Sequence, residues 1–171
     1  IYLMTHNHPI FMINVEGFKV ENISITNQRY WGMRFEYCSK GIIRDIFTNV
    51  NRDRNNQDGI NLRNGCYDIL IENVHGQTGD DTIALSAIDT EKPDRPEPLI
   101  VREMSPDIHD VVIRNISGAA LAHPLVALRN HNGAKIYNIT IENISDTPQL
   151  QPSMRNEGAE RYGIIRIVYG S

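Results

Sequence analysis

Three observations predict an all-β chain built as a parallel β-helix, a solenoid of about six coils. First, the pattern Ile/Val–x–Asn/Asp–Ile/Val recurs five times, at Val20–Ile23, Ile43–Ile46, Ile71–Val74, Ile113–Ile116 and Ile141–Ile144, with spacings of 23, 28, 42 and 28 residues. Second, each copy is followed by a second short run that alternates apolar and polar residues: Gly32–Tyr37, Gly59–Arg63, Thr82–Ala87, Leu125–Arg129 and Gly163–Val168. Third, no stretch sustains a helical period. Short alternating β-branched runs argue strand, and a fixed period of 23–28 residues with two or three strands per repeat argues a solenoid. One such repeat cannot bury its apolar face alone, so stacking must create the core.

The elements follow in order. His8–Ile13 matches His123–Leu128 in pattern and reads as the second run of an earlier, incomplete coil. The Asn or Asp at the third position of each repeat fits a tight bend between strands, because these residues tolerate the left-handed backbone region. Four glycosylation sequons begin at Asn22, Asn115, Asn138 and Asn143; three of these are the repeat-turn asparagines, which favours a structural role. The 42-residue spacing marks an insertion at residues 88–106. It carries Pro93, Pro96, Pro98 and Pro106, so it is a loop rather than a strand, and it is placed to wall a cleft. Cys38 and Cys66 lie 28 residues apart and read as buried thiols on successive coils; two cysteines make neither a disulfide framework nor a metal spacing.

The chain has 171 residues, 40% hydrophobic and 22% charged, which suits one globular domain over residues 1–171. The net charge of −4 gives no argument for nucleic acid, and no apolar run reaches the length of a membrane span. Residues Ile1–Met4 do not read as a signal peptide, and the pattern opens and closes inside the repeat, as expected of a piece of a longer chain.

Aligning the second runs on Phe11, Met33, Ile60, Ile83 and Val126 brings side chains of different coils into columns about 4.8 Å apart. Two positions before the anchor, the column reads Pro9, Trp31, Asp58, Asp81, Pro124. Three positions before, it reads His8, Tyr30, Gln57, Asp80, His123, and three after it reads Asn14, Glu36, Arg63, Ser86, Arg129. Asp58, Asp80 and Asp81 therefore crowd one spot, where like charges keep at least one carboxyl protonated near neutral pH. That is the requirement for general acid–base chemistry. Gly79 is expected to turn the backbone so that both Asp80 and Asp81 reach the cleft. Tyr30 and Trp31 offer ring faces suited to sugars, and Arg63 and Arg129 lie alongside for substrate contact. Each alone has a plainer reading: turn aspartates, packing aromatics, a structural His123, solvated arginines. A calcium site also wants clustered oxygens.

These residues resemble glycoside hydrolase family 28, the polygalacturonases and their relatives. The family's motifs are, in order, Asn-Thr-Asp, Asp-Asp after Gly, Gly-His-Gly and Arg-Ile-Lys. Asn56-Gln57-Asp58 matches the first with Gln for Thr, and Gly79-Asp80-Asp81 matches the second in full. Ala122-His123-Pro124 keeps the His of the third, and Arg166-Ile167-Val168 keeps the Arg of the fourth but has Val where the family has Lys. The resemblance implies a right-handed β-helix and hydrolysis with inversion: Asp80 as acid, raised by its charged neighbours, Asp58 and Asp81 as the base pair holding water, and His123 tuning the acid. It implies Arg166, with Arg63 and Arg129, as substrate-binding residues, a polysaccharide as the partner, no cofactor or metal, and an extracytoplasmic location. Val168 lacks the charge with which the family grips a uronate carboxylate, which extends the expected substrates from galacturonate to related polysaccharides. Two rivals stay open: a calcium-dependent lyase on the same solenoid with Arg63 or Arg129 as base, and a glycan-binding module without catalysis.

Overall fold

The structure is a computed structural model that describes residues 7–50, 55–88, 103–121, 123–146 and 164–169. The strands are β1 (Ile10–Ile13), β2 (Glu16–Thr26), β3 (Met33–Glu36), β4 (Ser39–Asn49), β5 (Ile60–Arg63), β6 (Tyr67–Thr78), β7 (Ile83–Ile88), β8 (Ile108–Ala120), β9 (Val126–His131), β10 (Ile136–Asp146) and β11 (Ile165–Tyr169). Odd strands form one sheet in the order β1-β3-β5-β7-β9-β11, and even strands form the other, β2-β4-β6-β8-β10. Every pairing is parallel. The fold is a right-handed parallel β-helix.

Register stacks like on like. The repeat pattern becomes the column Val20, Ile43, Ile71, Ile113, Ile141 in the long-stranded sheet. Met33, Ile60, Ile83 and Val126 face it from the short-stranded sheet, beside Phe35, Leu62, Leu85 and Leu128. The central coils bury these side chains completely, as for Ile43, Ile71, Ile113, Ile60 and Ile83. In the last described coil Ile167 remains 78% exposed, because no described strand lies beyond it.

The repeat's third position adopts the left-handed conformation throughout, with φ of 57° at Asn22, 56° at Asp45, 55° at Asn73, 57° at Asn115 and 54° at Asn143. These bends lie inside the long strands rather than between separate ones. A second left-handed column follows Gly17, Lys40, Asp68, Asp110 and Asn138. Side-chain amides link the first column: Asn73 donates to Asp45 Oδ1 at 2.8 Å, Asn115 to Asn73 Oδ1 at 3.1 Å, and Asn143 to Asn115 Oδ1 at 3.2 Å. Asn138 donates to Asp110 Oδ1 at 3.0 Å in the second. Six turn side chains, among them the sequon residues Asn115, Asn138 and Asn143, thus have a structural task. Gly76 and Gly118 permit a close coil contact: a Cβ on Gly118 would stand 1.9 Å from the Gly76 carbonyl oxygen.

Cys38 and Cys66 are unpaired, buried thiols on successive coils. Burial pushes both upward, Cys66 far beyond the ordinary thiol range. β7 runs through Ile88, the residue with which the insertion was expected to start. The Asn64 side chain clasps Ile88 through both its backbone groups, at 2.7 and 2.8 Å, and the Gly65 N–H donates to the Pro106 carbonyl at 3.1 Å. Its proline-rich interior, residues 89–102, lies outside the described residues, as does the expected cleft wall.

Candidate active site

The acidic residues sit on the turns that lead from the long strands into the short ones. Backbone bonds stack these turns: the Gly32 N–H donates to the Asp58 carbonyl and the Gly59 N–H to the Asp81 carbonyl, both at 2.9 Å. With Met33, Ile60, Ile83 and Val126 in register, Trp31, Asp58, Asp81 and Pro124 share one column and Tyr30, Gln57, Asp80 and His123 the next. The first coil differs from expectation by one residue. Ile10, not Phe11, pairs with Met33, because Ile10 and Met12 turn toward the core while Phe11 and Ile13 face out. His8, rather than Pro9, therefore meets Trp31, with ring centroids 5.3 Å apart, and Ile13 takes the place expected for Asn14.

Gly79 is not among the residues of positive φ. The sharp turn instead hangs on the Gln57 carbonyl, which accepts the N–H groups of Gly79 at 3.1 Å and Asp80 at 3.3 Å. Thr78 Oγ1 closes it by donating to the Asp80 carbonyl at 2.7 Å. Gln57 itself is tied down: its amide donates to the Gln28 carbonyl at 2.5 Å, and the Gln28 amide donates to the Asp58 carbonyl at 3.0 Å. Gln28 lies outside every motif, so nothing in the pattern pointed to it. Asn56 carried a signal, since Asn favours the left-handed region. Its φ of 66° directs its N–H to Asp80 Oδ2 at 2.6 Å.

The three carboxyls occupy unequal environments. Asp58 is 3% and Asp81 0% exposed, whereas Asp80 keeps 8%. Asp80 Oδ1 accepts the Asp81 N–H at 3.0 Å and lies 3.3 Å from His123 Nδ1; the same nitrogen is 4.0 Å from Asp81 Oδ1. Arg129 Nη2 donates to Asp81 Oδ2. Burial, reinforced by the charges of Asp80 and Asp81, pushes the Asp58 carboxyl well above its ordinary range, against the pull of Asn61 and Arg129. Burial also raises Asp81, to about 6, with Arg129 opposing and Asp80 adding to the rise. At both Asp58 and Asp81 burial is the larger cause and the neighbouring carboxylates add to it. Atoms of Asp80, Asp81 and His123 lie within 4.8 Å of one another, compact enough for a cation, but the Arg129 guanidinium already supplies a positive charge to Asp81.

Toward the first coil the outer face of the short-stranded sheet carries a second ionic group that no motif marks. Arg34 Nε donates to Glu36 Oε1 at 2.7 Å, and both residues are buried. The Arg34 guanidinium lies 4.6 Å from the Phe11 ring and 5.5 Å from the Trp31 ring, with Arg63 at 5.2 Å from Trp31. Trp31 is thus a packing centre, 7% exposed, and Tyr30 stacks on it at 5.0 Å with its own ring partly exposed. The motif spacing could not reveal Arg34, because its partner Glu36 lies on the same strand. Arg166, on β11, pairs in register with Ala127 and is partly buried at the last described coil.

Residues 4–92 match the family profile described as Glycosyl hydrolases family 28. The chain belongs to this family. The match includes Asp58, Asp80 and Asp81 and ends before His123, Arg129 and Arg166. Comparison with curated proteins and with solved structures gives no significant match. Membership in glycosyl hydrolase family 28 makes this a glycosidase domain with a polysaccharide as its class of substrate.

Proposed function

We propose that the protein hydrolyses O-glycosidic bonds in a pectic or related polysaccharide outside the cytoplasm, with inversion at the cleaved carbon. The observation that carries this reading is the gathering of Asp58, Asp80 and Asp81 on stacked turns, with His123 beside Asp80 and Arg129 on Asp81. Asp80 is the acid that protonates the leaving oxygen, being the least buried of the three carboxyls and the one nearest His123. Asp58 and Asp81 hold the attacking water as base. An inverting pair must leave about 6.5–9.5 Å for that water. The raised carboxyls of Asp58 and Asp81 favour keeping a proton within the cluster, and His123, 3.3 Å from Asp80 Oδ1, orients the Asp80 carboxyl. Tyr30, supported by Trp31, offers a partly exposed ring to a sugar, and Arg63 and Arg166 flank the path of an acidic chain.

The experiment is a panel of pectic and related glycans assayed for new reducing ends, with the first-formed anomer followed by NMR. The reading expects reducing ends whose configuration is opposite to that of the cleaved bond, unaffected by a calcium chelator. Ultraviolet-absorbing unsaturated ends that vanish on chelation would replace it with a lyase. Binding without any cleavage would replace it with a glycan-binding module.

A further inference from the structure

Arg129 was expected to contact substrate, yet its geometry turns it inward. It stands on β9 between Ser86 of β7 and Val168 of β11 in register. The outward positions of β7 below it, Ala84 and Ser86, are small and buried, leaving room for a long side chain to lie across that strand. The guanidinium crosses to the preceding coil and donates to Asp81 Oδ2. The Arg129 side chain is 31% exposed and the Asp81 side chain 1%, so the arginine links a buried carboxylate to the solvent side. The neighbour on its other flank, Val168, brings no competing charge.

We propose that Arg129 is a positioning residue of the acidic cluster: it fixes the Asp81 carboxylate toward the reacting water instead of gripping the polysaccharide. This rests on the hydrolase reading above and assigns the cation that the site itself requires. A carboxylate as buried as Asp81 needs a fixed partner to stay charged and oriented. The groups that face Asp81 are Asp80 on its own turn, Asp58 on the turn before β5, His123 on the turn before β9, and Arg129. Among these, Arg129 is the one whose charge is permanent and positive. The burial that acts on Arg129 itself is outweighed by its attraction to Asp81, Asp58 and Asp80, and it stays firmly protonated.

The test uses the full chain with Arg129→Gln and Arg129→Lys. On a glycan that the wild type cleaves, Arg129→Gln is expected to lower kcat on the order of 100-fold through loss of alignment, with KM changed little. Arg129→Lys should restore a large part of kcat. The acid limb of the kcat/KM profile should move to higher pH in Arg129→Gln, because the charge that holds Asp81 down is gone. A raised KM with kcat intact, or an unmoved acid limb, would overturn the proposal in favour of substrate grip. A readout independent of turnover separates this from failure of the hydrolase reading. In protein labelled with 13C at aspartate carboxyls, the Asp81 resonance, identified by its loss in Asp81→Asn, should titrate at higher pH in Arg129→Gln. An unchanged Asp81 titration overturns the positioning role even if no glycan is cleaved.

Discussion

Two columns of polar side chains climb this solenoid with the same coil-to-coil spacing, and they have opposite energetics. On the long-stranded sheet, Asp45, Asn73, Asn115 and Asn143 hand hydrogen bonds from coil to coil near the surface. Each amide has one donor and one acceptor end, so identical residues stacked in register satisfy each other. On the turns before the short strands, Asp58 and Asp81 stack with Asp80 beside them, buried, and a carboxylate can only accept. Stacking there multiplies repulsion, partly relieved by Arg129, His123 and backbone N–H groups. The first column spends the repeat on stability and the second stores a cost that acid–base chemistry can use.

The largest effect is expected from Asp80→Asn: turnover should fall by about 10²–10⁴-fold, the usual worth of a general acid, while circular dichroism shows the fold intact. Substantial residual activity would remove Asp80 from the acid role. Asp58→Asn should act in the opposite direction on stability. The folded-state carboxyl of Asp58 lies above its unfolded value near ~3.9. Its contribution is therefore complete below that pH and is lost as pH rises through the folded-state value. At pH ~7 the Asn variant should melt above the wild type, and the gap should close toward pH ~4, followed by thermal unfolding across pH. For Asp81 the corresponding loss falls between its ordinary value near 3.8 and about 6. A variant that melts lower at neutral pH would show that the Asp column is not under strain.

The smallest effect belongs to the satisfied column. Asn115→Ala removes a donor and an acceptor from the ladder and puts a residue with a Cβ but no local hydrogen bond at φ 57°. It should cost about 1–3 kcal/mol in urea unfolding, and Asn115→Gly about 1 kcal/mol, since glycine accepts the conformation freely. Equal costs for the two would mean that backbone conformation contributes nothing there.

Much of this molecule was legible before any coordinates. The repeat pattern named the core columns and the left-handed bends, because a parallel stack requires the same residue type at the same place in every coil. The 23-residue spacing from Asp58 to Asp81 placed two carboxyls in one column, since neighbouring coils stay in register. The first coil slipped by one residue because alternation alone does not say which of two adjacent apolar side chains, Ile10 or Phe11, turns inward. Gly79 was the natural candidate for the turn, yet the Gln57 carbonyl makes it.

The solenoid, its bends and the family of the acidic motifs were readable from the residues alone, because each depends on a short-range pattern repeated along the chain. Only the tertiary structure decided how deep each carboxyl lies, that Trp31 is covered by Arg34 and Arg63, and that Arg129 points to Asp81. Depth and direction are set by side chains from other coils, up to 48 positions away for Arg129 and Asp81, and the electrostatics of a buried charge follow from them.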